Sequence, residues 1–364
     1  MKHLLLQEYL RNNSVEKLAE EYKIIYKQHS LYPNLYLFKY DQIDSPMHEP
    51  LVQVCRGIIL DKDNNWNIIN YSFEKFWNAH EHLAAKLDWN SAQVYEKLDG
   101  SLIQLFWYNN QWHVSTSGTP CASGEVNGYG ITFKNLFWKT WNELNYQLPK
   151  DITRCYIFEL CCKENRIVVP HKTSRIVLLG TRDLISMQED FPDKYAKEYG
   201  WECVKSLPLN SFKEESDITL LAEQLDPMQS EGFVVVDSSF KRVKIKSPKY
   251  VALHRCIDNL SPRRMLEIIT LNEQTEFLAY FPEFKEIYDI INNKLKKLIN
   301  DAEIFYNNYK HIENQKEFAL AIQNSKYKGA CFSVRAQKAK SFKDYYYSMH
   351  IHNLEDLLEL KVLC

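Results

Sequence analysis

The stretch Tyr95-Glu96-Lys97-Leu98-Asp99-Gly100-Ser101-Leu102-Ile103 joins two runs of strand-forming residues through a short turn. Asp99-Gly100 is typical of such a turn, and a lysine next to it is typical of a surface hairpin. A lysine amine becomes a nucleophile, however, where partial burial and neighbouring cations favour its neutral form, and it can then attack a phosphoryl group. The stretch alone leaves both interpretations of Lys97 open, the solvated lysine and the nucleophile.

Strand-like runs continue on both sides of this stretch, from about residue 50 to residue 250. They are rich in β-branched and aromatic residues, and they comprise Gly57-Ile58-Ile59-Leu60, Leu102–Tyr108, Tyr156–Leu160, Ile176–Leu179 and Gly232–Val236. Asn109-Asn110 predicts a hairpin turn, and helices are expected over Asn135–Leu144 and Asp190–Tyr199. Strands and helices mixed in this way favour an α+β fold over an all-β sandwich.

The hydrophobic period changes after Arg255. From Phe284 to Tyr309 the apolar residues recur with the spacing of an amphipathic helix. They are Ile287, Ile290, Ile291, Leu295, Leu298, Ile299, Ala302, Phe305, Tyr306 and Tyr309. Ser261-Pro262 predicts another helix start, with the serine as cap. We therefore expect two domains, residues 1–254 and an all-α domain of residues 255–364, with helices and one strand of residues 1–50 packed on the first.

The composition excludes several classes of protein. The chain has 364 residues, of which 45% are hydrophobic and 25% charged, so it is neither disordered nor collagen-like. Its 45 basic and 47 acidic residues give a net charge of −2, so any nucleic-acid site must be a local patch. No apolar run reaches the roughly 18–20 residues of a membrane span. We expect a cytoplasmic protein with reduced cysteines and no membrane partner.

Charged residues recur in the strand-like segments around Lys97 in a fixed order. The segments are Arg56-Gly57, Lys75-Phe76-Trp77-Asn78, Lys97-Leu98-Asp99-Gly100, Phe158-Glu159, Glu231-Gly232-Phe233-Val234-Val235 and Lys244-Ile245-Lys246. In this order they resemble the motifs of the covalent nucleotidyltransferase superfamily of DNA ligases, RNA ligases and capping enzymes. Cys55-Arg56-Gly57-Ile58, Glu164-Asn165-Arg166-Ile167-Val168 and Lys244-Ile245-Lys246-Ser247 with Tyr250 are similar to the bacteriophage-type RNA ligase 1 family.

The resemblance implies an α+β, ATP-grasp-like nucleotidyltransferase domain with antiparallel sheets and flanking helices. It also implies an all-α C-terminal domain in place of the OB-fold of DNA ligases and capping enzymes. The implied reaction has three steps: Lys97 attacks the α-phosphorus of ATP, AMP passes to the 5′-phosphate of an RNA, and a 3′-hydroxyl then displaces AMP. The expected partner is RNA with these two ends, such as a cleaved tRNA, prepared by a separate kinase or phosphatase.

Displacement at phosphorus requires cations that face the phosphates. Lys244, Lys246, Arg56 and Lys75 are the candidates, and Lys244 and Lys246 share one face because they alternate in a strand. By resemblance, Tyr250 joins Arg56 and Lys75 in contacting the phosphate end.

The same chemistry requires carboxylates for a metal and for the ribose. Mg²⁺ or Mn²⁺ is usually held by one or two carboxylates together with substrate phosphates. The resemblance assigns the metal to Glu231 and the ribose hydroxyls to Glu159. Asp99, two residues after Lys97, is expected to orient the site.

One turn departs from the family pattern. Many members have a basic residue just before the glycine that follows the Lys97 motif, whereas this chain has Ser117 in Ser115-Thr116-Ser117-Gly118-Thr119. No phosphate contact is therefore carried over to this turn.

Residues 326–343 form a basic segment without an acidic residue. The cations are interleaved with Tyr327, Phe332 and Phe342. This pattern suits phosphate contact and base stacking in RNA, and it suits a solvated helix face equally well.

Two other functions compete with an RNA ligase. One is a DNA ligase or capping guanylyltransferase, which the absence of a C-terminal β-barrel pattern disfavours. The other is an inactive relative that only binds RNA, which the intact set of Lys97, Glu159, Glu231, Lys244 and Lys246 disfavours.

Overall fold

The computed structural model describes residues 4–127, 129–208, 214–258, 261–272 and 274–360. The chain divides into two compact units, Met1–His254 and Arg255–Cys364. Within the described ranges the first unit contains sheets with flanking helices, and the elements that follow residue 261 are all helical. The α+β class predicted from the sequence is confirmed. In the same ranges, none of the helices has both the length and the apolar character needed to cross a membrane.

The N-terminal sheet is antiparallel, with strands in chain order. Its strands are β1 (Ile24–Gln28), β2 (Leu35–Tyr40), β3 (Arg56–Asp61) and β4 (Asn67–Asn70). The helices beside it are α1 (Leu5–Asn12), α2 (Val15–Tyr22) and α3 (Pro50–Gln53). Residues 1–50 thus contribute two strands where one was predicted. The run Leu35–Phe38 is buried on both faces, since Phe38 packs with the α1 and α2 core and Leu37 packs with Phe106, and this burial stabilises β2.

The central sheet has the strand order β10-β9-β8-β6-β7, and β11 adds to β9 as a parallel strand. Its strands are β6 (Ser101–Tyr108), β7 (Gln111–Thr116), β8 (Arg154–Cys161), β9 (Arg175–Asp183), β10 (Glu189–Asp190) and β11 (Glu202–Cys203). Asn109 and Asn110 form the predicted hairpin turn with φ of 47° and 61°, as a two-residue turn between twisted strands requires. Phe137 and Trp141 of α4 (Phe133–Glu143) pack against Phe158 in its core.

The predicted helix over 190–199 begins later, as α5 (Asp193–Tyr199). Glu189-Asp190 instead pairs with β9. Pro192 explains the difference, because a residue that precedes proline, here Phe191, is disfavoured in helical conformation.

The third sheet has the order β12-β5-β13-β14. Its strands are β5 (Gln93–Lys97), β12 (Ser206–Leu207), β13 (Gly232–Val236) and β14 (Arg242–Lys246), and α6 (Glu215–Gln224) covers its core. The turn Leu98-Asp99-Gly100 is not a surface hairpin, since it carries the chain from this sheet into β6 of the central sheet. Asp99 is buried, and a Cβ on Gly100 would lie 2.4 Å from the carbonyl oxygen of Leu160.

The second unit is built of helices around a long central one. They are α8 (Pro262–Thr270), α9 (Gln274–Tyr280), α10 (Lys285–Tyr309), α11 (Gln315–Ile322), α12 (Lys328–Arg335), α13 (Phe342–Tyr347) and α14 (Ile351–Leu357), after α7 (Pro248–Asp258) at the boundary. The predicted helix over 284–309 is confirmed as α10, and Ser261 caps α8 by accepting from the Arg264 amide. Ile290 differs from the prediction, since it is 43% exposed beside the buried Ile291.

Gly232 provides a test of how the third sheet depends on one backbone position. Its φ is +143°, and a Cβ there would lie 2.2 Å from the carbonyl oxygen of Ile245. We expect Gly232→Ala to lower the free energy of unfolding by at least about 2 kcal/mol, because strain and steric overlap add. Chemical denaturation would measure the loss. Gly124→Ala is the control, because a Cβ there would meet Phe133 at an ordinary 3.6 Å; equal losses in both variants would contradict the prediction.

Candidate active site

The amine of Lys97 lies at a cavity of about 300 Å³ where the third sheet meets the central sheet. Lys97 ends β5, and the chain then turns away from the cavity at Leu98–Gly100. Five of the residues predicted from the sequence line this cavity together: Arg56, Lys97, Glu159, Lys244 and Lys246. The tertiary structure thus brings together residues from β3, β5, β8 and β14.

Strand register places Glu231 between two lysines. Gly232 pairs with Lys97 of β5 on one side and with Lys246 of β14 on the other. From the preceding position, Glu231 accepts from Lys97 Nζ at 2.6 Å and from Lys246 Nζ at 2.8 Å. Burial opposes ionisation of this carboxyl, but the two ammonium groups outweigh it and hold the pKa of Glu231 below its ordinary value. The carboxylate therefore fixes both amines at the cavity.

Glu159 lines the cavity, and its carboxyl group has surroundings opposite to those of Glu231. It is 9% exposed, on β8 opposite Leu102 of β6. Within the described ranges, no residue donates a hydrogen bond to its side chain or forms an ion pair with it. Burial, followed by the charges of Glu231 and Asp99, raises the pKa of Glu159 to about 8 against the attraction of Lys97 and Arg56. Glu159 therefore presents an unused acceptor to any ligand in the cavity.

The cations at the cavity are crowded. Burial and the neighbouring charges of Lys246, Lys75, Lys97 and Arg56 lower the pKa of Lys244 to about 8. The Arg56 guanidinium lies 4.8 Å from the centre of the Phe76 ring. An anion between these groups would relieve their mutual repulsion, so the arrangement favours a phosphate ligand.

Asp99 and Tyr250 do not line the cavity. The Asp99 carboxylate accepts from the amides of Val168 and Val169 at 2.8 and 2.6 Å, and from the Tyr250 hydroxyl at 2.7 Å. Tyr250 is 1% exposed. Both residues therefore hold the turn after Lys97 in place, and the hydroxyl of the buried Tyr250 is bound to Asp99.

Sequence analysis missed the aromatic and charged wall of the cavity. Phe191 and Phe240 lie with ring centroids 4.8 Å apart, and the Arg242 guanidinium lies 4.3 Å from the centre of the Phe73 ring. Glu189 pairs with Arg242 and with Arg182, which fixes β10 against β14. Arg242 could have been found, because it extends the alternation of Lys244 and Lys246 by one step. Phe191 and Phe240 stand in loops without any periodic signal.

Carboxylates that could hold a metal are few. In the described part of the chain, no group of three or more His, Cys, Asp and Glu could bind a metal ion. Glu159 fits a hard cation that takes its remaining ligands from phosphates and water, whereas both oxygens of Glu231 already accept from Lys97 and Lys246.

Glu159 also makes stability depend on pH. A buried acid with a raised pKa contributes stability below its unfolded pKa and loses it as the pH rises through the folded pKa, here from 4.5 to about 8. We therefore expect the Glu159→Gln protein, whose side chain stays neutral, to have a higher free energy of unfolding than the wild-type protein. The difference between the two should be larger at about pH 9 than at about pH 5. Denaturant titration followed by tryptophan fluorescence would measure both. A pH-independent difference would contradict the assignment.

Relatives of the chain are found among viral proteins. The sequence is 28% identical to an RNA ligase of Rhodothermus phage RM378, over 80% of this chain and 82% of the phage protein. It is 26% identical to a protein of Autographa californica nuclear polyhedrosis virus named as a bifunctional polynucleotide kinase/RNA ligase. That match covers 91% of this chain but 49% of the baculovirus protein.

A solved archaeal ATP-dependent RNA ligase is 13% identical with a TM-score of 0.45, and the match covers 67% of this chain and 63% of that chain. The family model described as RNA ligase matches residues 54–250, more than half of the chain. That range holds all the motif residues from Arg56 to Tyr250. The resemblance to bacteriophage-type RNA ligases is thereby confirmed, and the chain belongs to this RNA ligase family.

Proposed function

We propose that this chain is an ATP-dependent RNA ligase that joins 5′-phosphate and 3′-hydroxyl ends through lysyl-AMP and RNA-adenylate intermediates. The observation that supports this best is the amine of Lys97 at a cavity shared with Lys244, Lys246, Arg56 and the unpartnered Glu159. A lysine nucleophile among cations suits displacement at a phosphorus atom, where positioning and charge neutralisation provide most of the catalysis.

In the first step, the nitrogen of Lys97, once deprotonated, forms a bond to the α-phosphorus of ATP. The bond from that phosphorus to its bridging oxygen breaks, and pyrophosphate leaves with the electron pair. Glu231 holds the amine in place through its 2.6 Å contact. Lys244, Lys246 and Arg56 neutralise the charge on the phosphate oxygens.

Glu159 accepts hydrogen bonds from the ribose hydroxyls, which would use the acceptor that no described residue occupies. A divalent cation, when bound, would supply charge neutralisation at the phosphates; Glu159 could hold it directly, and Glu231 could do so only by giving up a lysine contact or through water. The two carboxyl groups have opposite pKa shifts, downward for Glu231 and to about 8 for Glu159. A cationic ligand would favour the ionised form of Glu159.

The second and third steps move AMP from Lys97 to the RNA 5′-phosphate and then release it when a 3′-hydroxyl attacks. The third step requires only the cations and the positioned ends, since Lys97 no longer carries AMP. RNA ends produced by cleavage, such as those of a nicked tRNA, are the substrates we propose. The baculovirus relative named as a kinase/RNA ligase suggests that a separate kinase or phosphatase prepares these ends.

The structure of the C-terminal unit favours an RNA ligase over a DNA ligase or a capping enzyme. Its described elements are helices, where the OB-fold expected of a DNA ligase or capping enzyme would be a β-barrel. Lys340 and Lys343 border a groove of about 320 Å³ in this unit together with Lys310. Arg335 has a structural role instead, because it donates to the carbonyl oxygens of Ile312 and Glu313. We propose that the lysines, and not Arg335, contact RNA phosphates.

Lys97→Ala should abolish the covalent AMP adduct, because a phosphoramidate requires a primary amine. Lys97→Arg should also fail, because a guanidinium stays protonated at any working pH. Radiolabelled ATP followed by denaturing electrophoresis measures the adduct, with GTP and NAD⁺ as alternative donors. Label from GTP alone would indicate capping. An adduct mapped by mass spectrometry to another lysine in these variants would refute the role of Lys97.

Two controls accompany this test. Lys205→Ala removes an exposed lysine beside the same sheet and should leave the adduct unchanged. The Lys97→Ala protein should still seal pre-adenylylated RNA, whereas Glu231→Ala should lose both activities because its carboxylate also holds Lys246. If Lys97→Ala is inactive in both assays although folded, the separation of steps is wrong.

Replacing Lys338, Lys340 and Lys343 with Ala tests the helical unit. Each lost phosphate contact should weaken RNA binding and reduce the salt dependence of log K by about one unit. Adenylylation of Lys97 should be unchanged. The control is Lys296→Ala with Lys297→Ala, which removes two exposed lysines of α10 that do not line the groove. An unaltered salt dependence in the triple variant would show that these lysines form a solvated face.

A further inference from the structure

A second, smaller cavity adjoins the cavity at Lys97, and we propose that Lys39 within it binds the β- and γ-phosphates of the nucleotide. This inference rests on the proposed function, since it concerns the leaving group of the first step. The cavity has a volume of about 240 Å³, and its polar lining is Lys39, Tyr40, Gln42, Arg56, Lys75, Ser117 and Lys244. Arg56, Phe76 and Lys244 line both cavities, which makes the two continuous along one wall.

The charges of this lining are unbalanced. It contains four cations and no carboxylate. Lys75 donates to the neutral side chain of Gln42 at 3.4 Å and lies 4.9 Å from the centre of the Tyr40 ring. Asp41 is the acidic residue nearest to Lys39 along the chain, but its carboxylate accepts from the amides of its own turn, at Ile43 and Asp44, and the charge of Lys39 is only the smallest cause of its lowered pKa.

Among the described residues, Lys39 is left without a direct contact partner. In the described ranges, its ammonium group forms no hydrogen bond and no ion pair, although the residue is half-buried at the end of β2. Holding a long cationic side chain partly buried without a partner costs free energy, which an anionic ligand would recover. Lys39 is therefore poised for a ligand and has no structural ion pair to maintain.

The position of Lys39 also accounts for the turn of residues 115–119, which lacks the basic residue that many family members have before its glycine. Ser117 lines the same cavity but brings no charge. Lys39 Nζ lies 3.8 Å from the point that a Cβ on the neighbouring Gly118 would occupy. The ammonium group of Lys39, on β2, thus lies beside a turn that contributes no cation itself. The sequence separates the two positions by 78 residues (117 − 39), so only the fold relates them.

The charge of the ligand favours pyrophosphate over a single phosphate. A terminal RNA phosphate carries about two negative charges, whereas the leaving pyrophosphate of the first step is a larger polyanion that can contact several cations at once. Four cations around one cavity match the larger charge. The shared Lys244 also places this cavity next to the site of attack by Lys97. The RNA 5′-phosphate remains the rival source of the same chemistry, and the test separates the two.

Lys39→Ala should lower the second-order rate constant of lysyl-AMP formation from ATP by roughly tenfold to a hundredfold, the loss expected for one charge-assisted hydrogen bond. Reversal of the adduct by pyrophosphate should require a correspondingly higher pyrophosphate concentration. Competition by AMP, which lacks these phosphates, and sealing of pre-adenylylated RNA should not change. Lys27→Ala is the matched control, because Lys27 is an exposed lysine on the neighbouring strand β1.

A charge swap distinguishes ligand binding from a structural role. Lys39→Ala combined with Ser117→Lys should restore most of the adenylylation rate, because it returns a cation to the same cavity from its other side. Lys39→Arg should also retain activity. Unchanged adenylylation in Lys39→Ala, or a loss only when AMP is transferred to RNA, would overturn the proposal. A wild-type chain that forms no lysyl-AMP would instead refute the proposed function itself.

Discussion

The pairing of Gly232 with Lys97 on one side and with Lys246 on the other is the constraint on which the site depends. This register sets Glu231 between two ammonium groups, and each carboxylate oxygen accepts from one of them. The backbone at Gly232 must pass so close to Ile245 that a Cβ has no room. A one-residue slip of β13 would turn the side chains of this strand to the opposite faces of the sheet and separate the pairs.

The turn after Lys97 is also held by several contacts at once. The Asp99 carboxylate binds two backbone amides and the Tyr250 hydroxyl, and its carbonyl oxygen contacts the ring nitrogen of His171 at 2.5 Å. These contacts use buried polar groups that would otherwise lack partners, so they hold the turn rigidly. The site thus combines a rigid frame with two groups, Glu159 and Lys39, that form no hydrogen bond or ion pair with any residue of the described ranges. In the functions proposed above, these groups bind the ribose hydroxyls and the phosphates of the nucleotide.

Local sequence patterns predicted the elements well where one face of a segment is buried. The period of 3.6 residues identified α10, and Ser261-Pro262 identified the start of α8, because both signals depend on short-range geometry. Sequence patterns failed where contacts between residues distant in the sequence determine the local structure. Leu35–Phe38 became a strand because Phe106 and the first helices cover both its faces, and Ile290 is exposed because it lies at the edge of the face that α10 buries.

The sequence by itself determined the motif residues and their order, and hence the family, since a lysine nucleophile, carboxylates and paired cations are required by the chemistry wherever the chain places them. Only the tertiary structure decided what each one touches. Tyr250 donates to Asp99, Glu231 holds two lysines, and Glu159 has no hydrogen-bond or ion-pair partner in the part of the chain that the structure describes. Lys39 entered the cavity from β2 although no motif includes it. The physical reason is that charges interact through space, over a few ångströms, while sequence spacing constrains position only within one helix or strand.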